Sequence, residues 1–259
     1  MPWLVAVLVV YLVIIQGLGL ALSSGEDFEY GKFPTTEALL RSTTVPVAVS
    51  VVFVLVVVGW LGWWPRVRRE PLRLGRWAWI FPAAMLVSAL VMTDYSRLGD
   101  VGTSLVLALL ATTLLVGIGE EVMFRGVALW ATRDLSGWSE VKAALVTAVI
   151  FGGVHITNIF TEGPGALGQA VVVSVAGLFF YIARRVSGGL LVPVVVHAVW
   201  DFSLFSSNLG SDPDANALAV LASLTTVVLA IVVIVRRKTI WPTGLRVGRV
   251  DSGQGAPGS

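Results

Sequence analysis

Eight apolar runs divide this chain of 259 residues, and they restrict it to one class of fold. A helix that crosses a bilayer needs about 20 apolar residues. Runs of that order lie at roughly Trp3–Leu22, Val45–Trp64, Trp77–Met92, Leu105–Trp130, Val141–Phe160, Ala166–Ile182, Leu190–Phe205 and Ala215–Val235. The third and seventh are short and the fourth is long. Only 13% of the residues are charged, against roughly 25% in a soluble domain. The expected fold is therefore all-α: a polytopic membrane protein of about eight transmembrane helices. Residues 1–240 read as a single helical domain, and 241–259, rich in Gly, Pro and Ser, as a disordered cytoplasmic tail. The first run has no positive charge ahead of it and is longer than the core of a secretory signal, so it reads as a retained helix.

The basic residues set the topology. Arg66, Arg68, Arg69, Arg73 and Arg76 follow the second run; Arg125, Arg133 and Lys142 lie around the end of the fourth and the start of the fifth. Arg184 and Arg185 follow the sixth, and Arg236, Arg237, Lys238, Arg246 and Arg249 follow the eighth. Only Lys32, Arg41 and Arg97 of the 18 basic residues fall on the other side. The positive-inside rule then places both termini in the cytoplasm, in the plasma membrane if the source is bacterial. Asp94, Asp100, Glu162, Asp212 and Asp214 fall outside. The net charge of +2 is too small to argue for nucleic acid, and the chain has no cysteine for disulfides, thiolate catalysis or cysteine-ligated metal.

Against this apolar background, Gly117-Ile118-Gly119-Glu120-Glu121-Val122-Met123-Phe124-Arg125 stands out. Ionised groups inside a span are costly unless they are paired and face the protein interior. Glu121 and Arg125 are four residues apart, so they can pair on one helix face. Glu120 is turned about 100° from Glu121, which lets one carboxylate be neutralised while the other faces elsewhere. His155 lies in the fifth run, and His197 and Asp201, again four apart, in the seventh. They are the only two histidines in the chain. A carboxylate and an imidazole converging on a water form a general base that can drive attack on a carbonyl. The same residue types also ligate zinc, although no His-Glu-x-x-His is present. Metal-free and zinc-dependent hydrolysis both stay open at this point. A serine site wants Gly-x-Ser, and the candidate at Ser187-Gly188 is preceded by Arg185 and lies in a basic loop; Leu98-Gly99-Asp100, preceded by Arg97, lacks the first glycine of an aspartyl motif. The glycines beside these residues (Gly117, Gly119, Gly126, Gly152 and Gly153) suit close helix packing.

The order Glu120-Glu121-x-x-x-Arg125, Phe151-x-x-x-His155, His197-x-x-x-Asp201 resembles the signature of the CAAX protease and bacteriocin-processing (Abi) family, relatives of the type II CAAX prenyl endopeptidases. The resemblance covers about residues 105–205. It implies an eight-helix intramembrane protease whose active-site cavity opens to the cytosol. Its substrate would be a membrane protein, a lipidated protein or a peptide, and its setting the lipid bilayer. It implies Glu120 and His155 as the groups that activate water, and His197 with residue 201 as the oxyanion holders. Glu121, Arg125 and Phe151 are then structural supports; no cofactor is expected, with zinc-dependent hydrolysis left open. Position 201 is Asp where the prenyl endopeptidases carry Asn, and an ionised Asp cannot donate to an oxyanion. That leaves His197 as the expected donor. The groups can meet at one depth only if the fourth helix is long and tilted, with the membrane crossed nearer 111–130. Two other classes of function were weighed: a non-catalytic scaffold or bacteriocin immunity protein, and a proton-coupled transporter. Clustering of the charges at one place, and the lack of an inverted repeat, argue against the transporter.

Overall fold

The structure is a computed structural model describing residues 2–23, 32–159, 163–210, 218 and 220–245. Among these residues the chain is a helical bundle with no strand beyond two isolated bridges, Phe33 with Leu209 and Arg69 with Gly189. The long helices are α1 (Pro2–Leu22), α2 (Thr36–Trp60), then the short α3 (Trp64–Arg68), α4 (Arg76–Met92), the short α5 (Tyr95–Asp100), and α6 (Thr103–Asp134). They continue with α7 (Glu140–Asn158), α8 (Gly165–Ser187), α9 (Leu191–Ser206) and α10 (Val220–Ile240). Six of these are long and apolar enough to cross a membrane. The other two apolar helices, α4 and α9, are shorter, and they are the two runs that read as short in the sequence. The protein is an integral membrane protein. Phe160, Glu162, Asp212, Asp214, Ala215 and the tail from 246 onward lie outside the described residues.

Helix ends follow local chemistry. Thr35, Asp94 and Ser139 accept hydrogen bonds from the backbone N–H three residues on, opening α2, α5 and α7. The loop after α2 is entered through a turn at Leu61–Trp63, which ends that helix at Trp60 rather than Trp64. Helix α6 is the longest, at 32 residues, or about 48 Å at 1.5 Å per residue. From Glu121 to Ala128 it winds wider than an α-helix: the Leu129 N–H, for example, reaches the Phe124 carbonyl five residues back. Such widened turns are rare and recur at functional sites.

The lipid-facing surface is apolar. Val5, Val9 and Val13 on α1, Val52 and Val56 on α2, and Ile234 and Val235 on α10 are all exposed. Helix α1 buries only Leu4 and Tyr11. It is fastened near its start by Trp3, whose ring lies 4.6 Å from Trp63, itself 5.0 Å from Trp130. Further along, Gln16 donates to Thr157 at 2.9 Å. The interior is built by α6, α7, α8 and α9.

One end of the bundle is closed by an ion cluster built from arginines that the sequence places in the basic loops. Arg133, Arg184 and Arg185 are each at most 4% exposed. Arg133 pairs with Glu140 and with Glu70 (2.9 Å), and Arg184 pairs with the same Glu70 oxygen at 2.9 Å. Arg184 also donates to the Arg69 carbonyl at 2.7 Å and to the Arg125 carbonyl. Arg185 donates to the carbonyls of Leu72 and Ile240. Buried guanidiniums need this many acceptors because their desolvation is costly. Helix α8 then stops at Gly188, whose φ of +83° puts it in the left-handed region. A Cβ at that position would also fall on the Arg73 guanidinium.

Glu70 lies outside the spans and carries a testable charge. Burial alone would raise its carboxyl, but Arg133 and Arg184 outweigh burial and hold it below the ordinary value of 4.5. A depressed carboxylate adds stability that is present above the unfolded value and lost as pH falls through the folded one. Thermal unfolding of the wild type and Glu70→Gln should therefore differ at neutral pH and converge below about pH 4.5. A gap in melting temperature that stays constant from pH 7 down to 3 would contradict the pairing.

Candidate active site

Helix α6 carries the acidic pair, and the widened turn begins between its two members. Glu121 is fully buried. Its Oε1 accepts from Arg125 Nη1 at 2.8 Å, so the expected four-residue pairing is formed. The same oxygen lies 2.8 Å from Nδ1 of His197 on α9. A carboxylate oxygen can only accept, so His197 carries its Nδ1 proton there. Arg125 lies 3.9 Å above the Phe151 ring and 5.0 Å from that of Phe180, which seats the cation on aromatic faces where Nη2 finds no hydrogen-bond acceptor.

Glu120 faces a different environment. Its side chain is 16% exposed, and it lines a cavity of about 770 Å³ together with Phe151, His155, His197 and Asp201. Glu121 and Arg125 do not line that cavity. The two carboxylates are nevertheless less separate than a 100° turn suggests. His197 reaches both, Glu121 through Nδ1 and Glu120 through Nε2 at 3.5 Å. One imidazole bridges them because its two nitrogens lie on different edges of the ring. Asp201 Oδ2 lies 3.4 Å from the same Nε2. Phe180 stacks on His197 with ring centres 4.5 Å apart and planes at 11°, fixing the ring.

His155 sits where α7 tightens into its last turn. Its Nδ1 lies 2.9 Å from the Phe151 carbonyl. A carbonyl only accepts, so Nδ1 carries a proton and a neutral ring leaves Nε2 as a lone pair. Phe151 therefore touches every part of the site: its carbonyl holds His155, and its ring meets Arg125, His197 and Phe124. Close helix approach makes this reach feasible. A Cβ on Gly152 would collide with the α8 backbone at Ala170 and Ser174, and one on Gly117 would lie 2.8 Å from the Val194 carbonyl on α9. Gly153 has open space and needs no such account.

All seven residues singled out in the sequence thus converge, five on the cavity wall and two, Glu121 and Arg125, behind it. Among the described residues, no group of three or more His, Cys, Asp or Glu is arranged to hold a metal ion. The comparisons follow the same boundaries. Residues 102–203 match the family described as type II CAAX prenyl endopeptidase Rce1-like. The match opens at the start of α6, ends within α9, and contains every one of the seven residues. Over residues 102–203 the chain is thus similar to the CAAX protease family. Over 94 residues the chain is 35% identical to an uncharacterized 24.3 kDa protein of Escherichia coli, covering 36% of this chain and 40% of that protein. The chain therefore spans less than half of the length of that curated relative. No solved structure matches.

The cavity has further polar walls that the ionisable residues of the spans do not reveal. Tyr11 and Gln16 come from α1, and Thr157, Asn158 and Gln169 from α7 and α8. Asn158 donates to Gln169 at 2.9 Å. A search restricted to ionisable residues misses them. The signal available was an amide, Gln16, inside an otherwise apolar run. Phe180 gave no signal at all, since a phenylalanine in a span looks like packing.

Proposed function

We propose that this chain is an intramembrane endopeptidase that hydrolyses a peptide bond of a membrane-associated or lipidated protein or peptide, without a metal. One observation carries the reading: Glu120 and His155 line one cavity among the spanning helices, while Glu121 and Arg125 are sequestered behind it. A carboxylate left without a buried counter-charge at a cavity wall is poised as a base.

In this reading, water sits between Glu120 and Nε2 of His155. Its oxygen attacks the scissile carbonyl carbon as its proton passes to Glu120. The carbonyl electron pair moves onto oxygen, where the Nε2–H of His197 donates a hydrogen bond; the ring acts as an imidazolium, its Nδ1 proton still donated to Glu121. Collapse of the tetrahedral intermediate breaks the C–N bond, and Glu120 returns its proton to the leaving amine. Asp201, an acceptor, holds His197 in place rather than contacting the oxyanion. The basic clusters put both termini and the ion cluster on the cytoplasmic side.

The test is incubation of the purified protein in detergent with a peptide library, with and without chelator, read by mass spectrometry. Discrete cleavage unchanged by chelator is expected. Absence of cleavage by protein that remains folded would overturn the reading, and loss on chelation would overturn its metal-free form.

A further inference from the structure

Tyr11 is one of only two buried residues on α1, a helix that lies outside the family segment. It is 1% exposed, and its hydroxyl makes no hydrogen bond to any described residue. A buried hydroxyl without a partner is uncommon and destabilising. The phenol is also held in a definite place. It fits against Gly119, where a Cβ would come within 2.9 Å of both the Tyr11 oxygen and Val51 Cγ2. Gly119 is the residue immediately before Glu120.

Glu120 has the complementary deficit. It makes no hydrogen bond to any described residue, and its nearest printed contact, to His197, is 3.5 Å, too long to be a good one. Both residues line the same cavity, and the phenol lies within electrostatic reach of the carboxylate. Ser50 on α2 is the other polar neighbour of the phenol; its own proton goes to the Val47 carbonyl at 2.7 Å, and its oxygen is the competing acceptor for the phenol. The phenol is a donor with no hydrogen bond formed, and the carboxylate an acceptor with none received. Catalytic hydrogen bonds are often long in an empty site and tighten in the working one.

We propose that Tyr11 is a positioning residue that donates its hydroxyl to Glu120 and fixes the direction in which the carboxylate faces the attacking water. The catalytic part of this role rests on the endopeptidase reading above. Helix α1 then belongs to the active site and is more than an anchor.

Tyr11→Phe keeps the ring and removes only the oxygen, so the variant folds. Two readouts are needed. With a peptide taken from the library that the wild type cuts, kcat should fall about tenfold to a hundredfold, as when outer-shell partners that orient metal ligands are lost, with KM nearly unchanged and no fall in melting temperature. In infrared spectra, the carboxylate band assigned to Glu120 by difference with Glu120→Gln should shift in Tyr11→Phe. Both changes together support the proposal. An unchanged kcat, an unshifted band, or a kcat loss that accompanies a lower melting temperature overturns it. If the wild type cuts no peptide, the endopeptidase reading fails by itself, and the infrared band alone decides whether the Tyr11–Glu120 bond exists.

Discussion

Glu120→Gln is expected to lose about a thousandfold or more of peptide cleavage while the protein stays folded. The substitution is nearly isosteric, but an amide cannot take up a proton, and a positioned base is worth about 10²–10⁴ in rate. Stability should not suffer, because Glu120 makes no hydrogen bond to a described residue and its contact with His197 is long, at 3.5 Å. The neighbouring substitution sharpens the contrast. Glu121→Gln removes the counter-charge of a buried Arg125 and weakens the hold on His197 Nδ1. It should lower the melting temperature, whereas Glu120→Gln should leave it unchanged or raise it. Cleavage and thermal unfolding, measured on the same two preparations, separate the roles. Cleavage retained by Glu120→Gln, or equal destabilisation by both, would sink the assignment.

The second large effect is expected far from the cavity. Arg184→Ala strips Glu70 of one of its two guanidiniums and leaves the carbonyls of Arg69 and Arg125 without that donor. Removing one partner of a buried ion pair typically costs about 3–5 kcal/mol. The melting temperature in detergent should fall by about 10 °C or more. Arg184→Lys should recover little, since an ammonium cannot span three acceptors in the plane of a guanidinium fork. The loss should extend to cleavage, because Arg184 bonds the backbone of the same turn that carries the Arg125 ion pair. An unchanged melting temperature would mean that the ion cluster is ornamental.

Much of this arrangement was legible in the sequence, for definite reasons. A charge in a span is costly enough that Glu120, Glu121, Arg125, His155, His197 and Asp201 announce themselves. Helical spacing then predicts the Glu121–Arg125 and His197–Asp201 neighbours. Spacing within one helix cannot show that His197 bridges both glutamates, because that depends on how α9 is rotated against α6. It cannot show the widened turn from Glu121 to Ala128, since no residue type dictates it. The ion cluster was hidden for a different reason. Arg133 and Arg184 look like ordinary loop charges until Glu70 and Glu140, remote in sequence, are folded against them. Tyr11 was silent because one tyrosine in an apolar run is unremarkable without its burial and its empty hydroxyl.

The thinness of α1 as a wall has a practical meaning. Leu12, Ile15 and Gly19 look into the cavity, and Val5, Val9 and Val13 look outward into lipid. The cavity and the surrounding lipid are thus divided by a single helix, tied by an indole stack at one end and an amide near the other. The solubilising medium becomes a reagent in its own right. Detergent that loosens that partition opens the chamber sideways, and a bilayer that compresses it keeps the chamber shut.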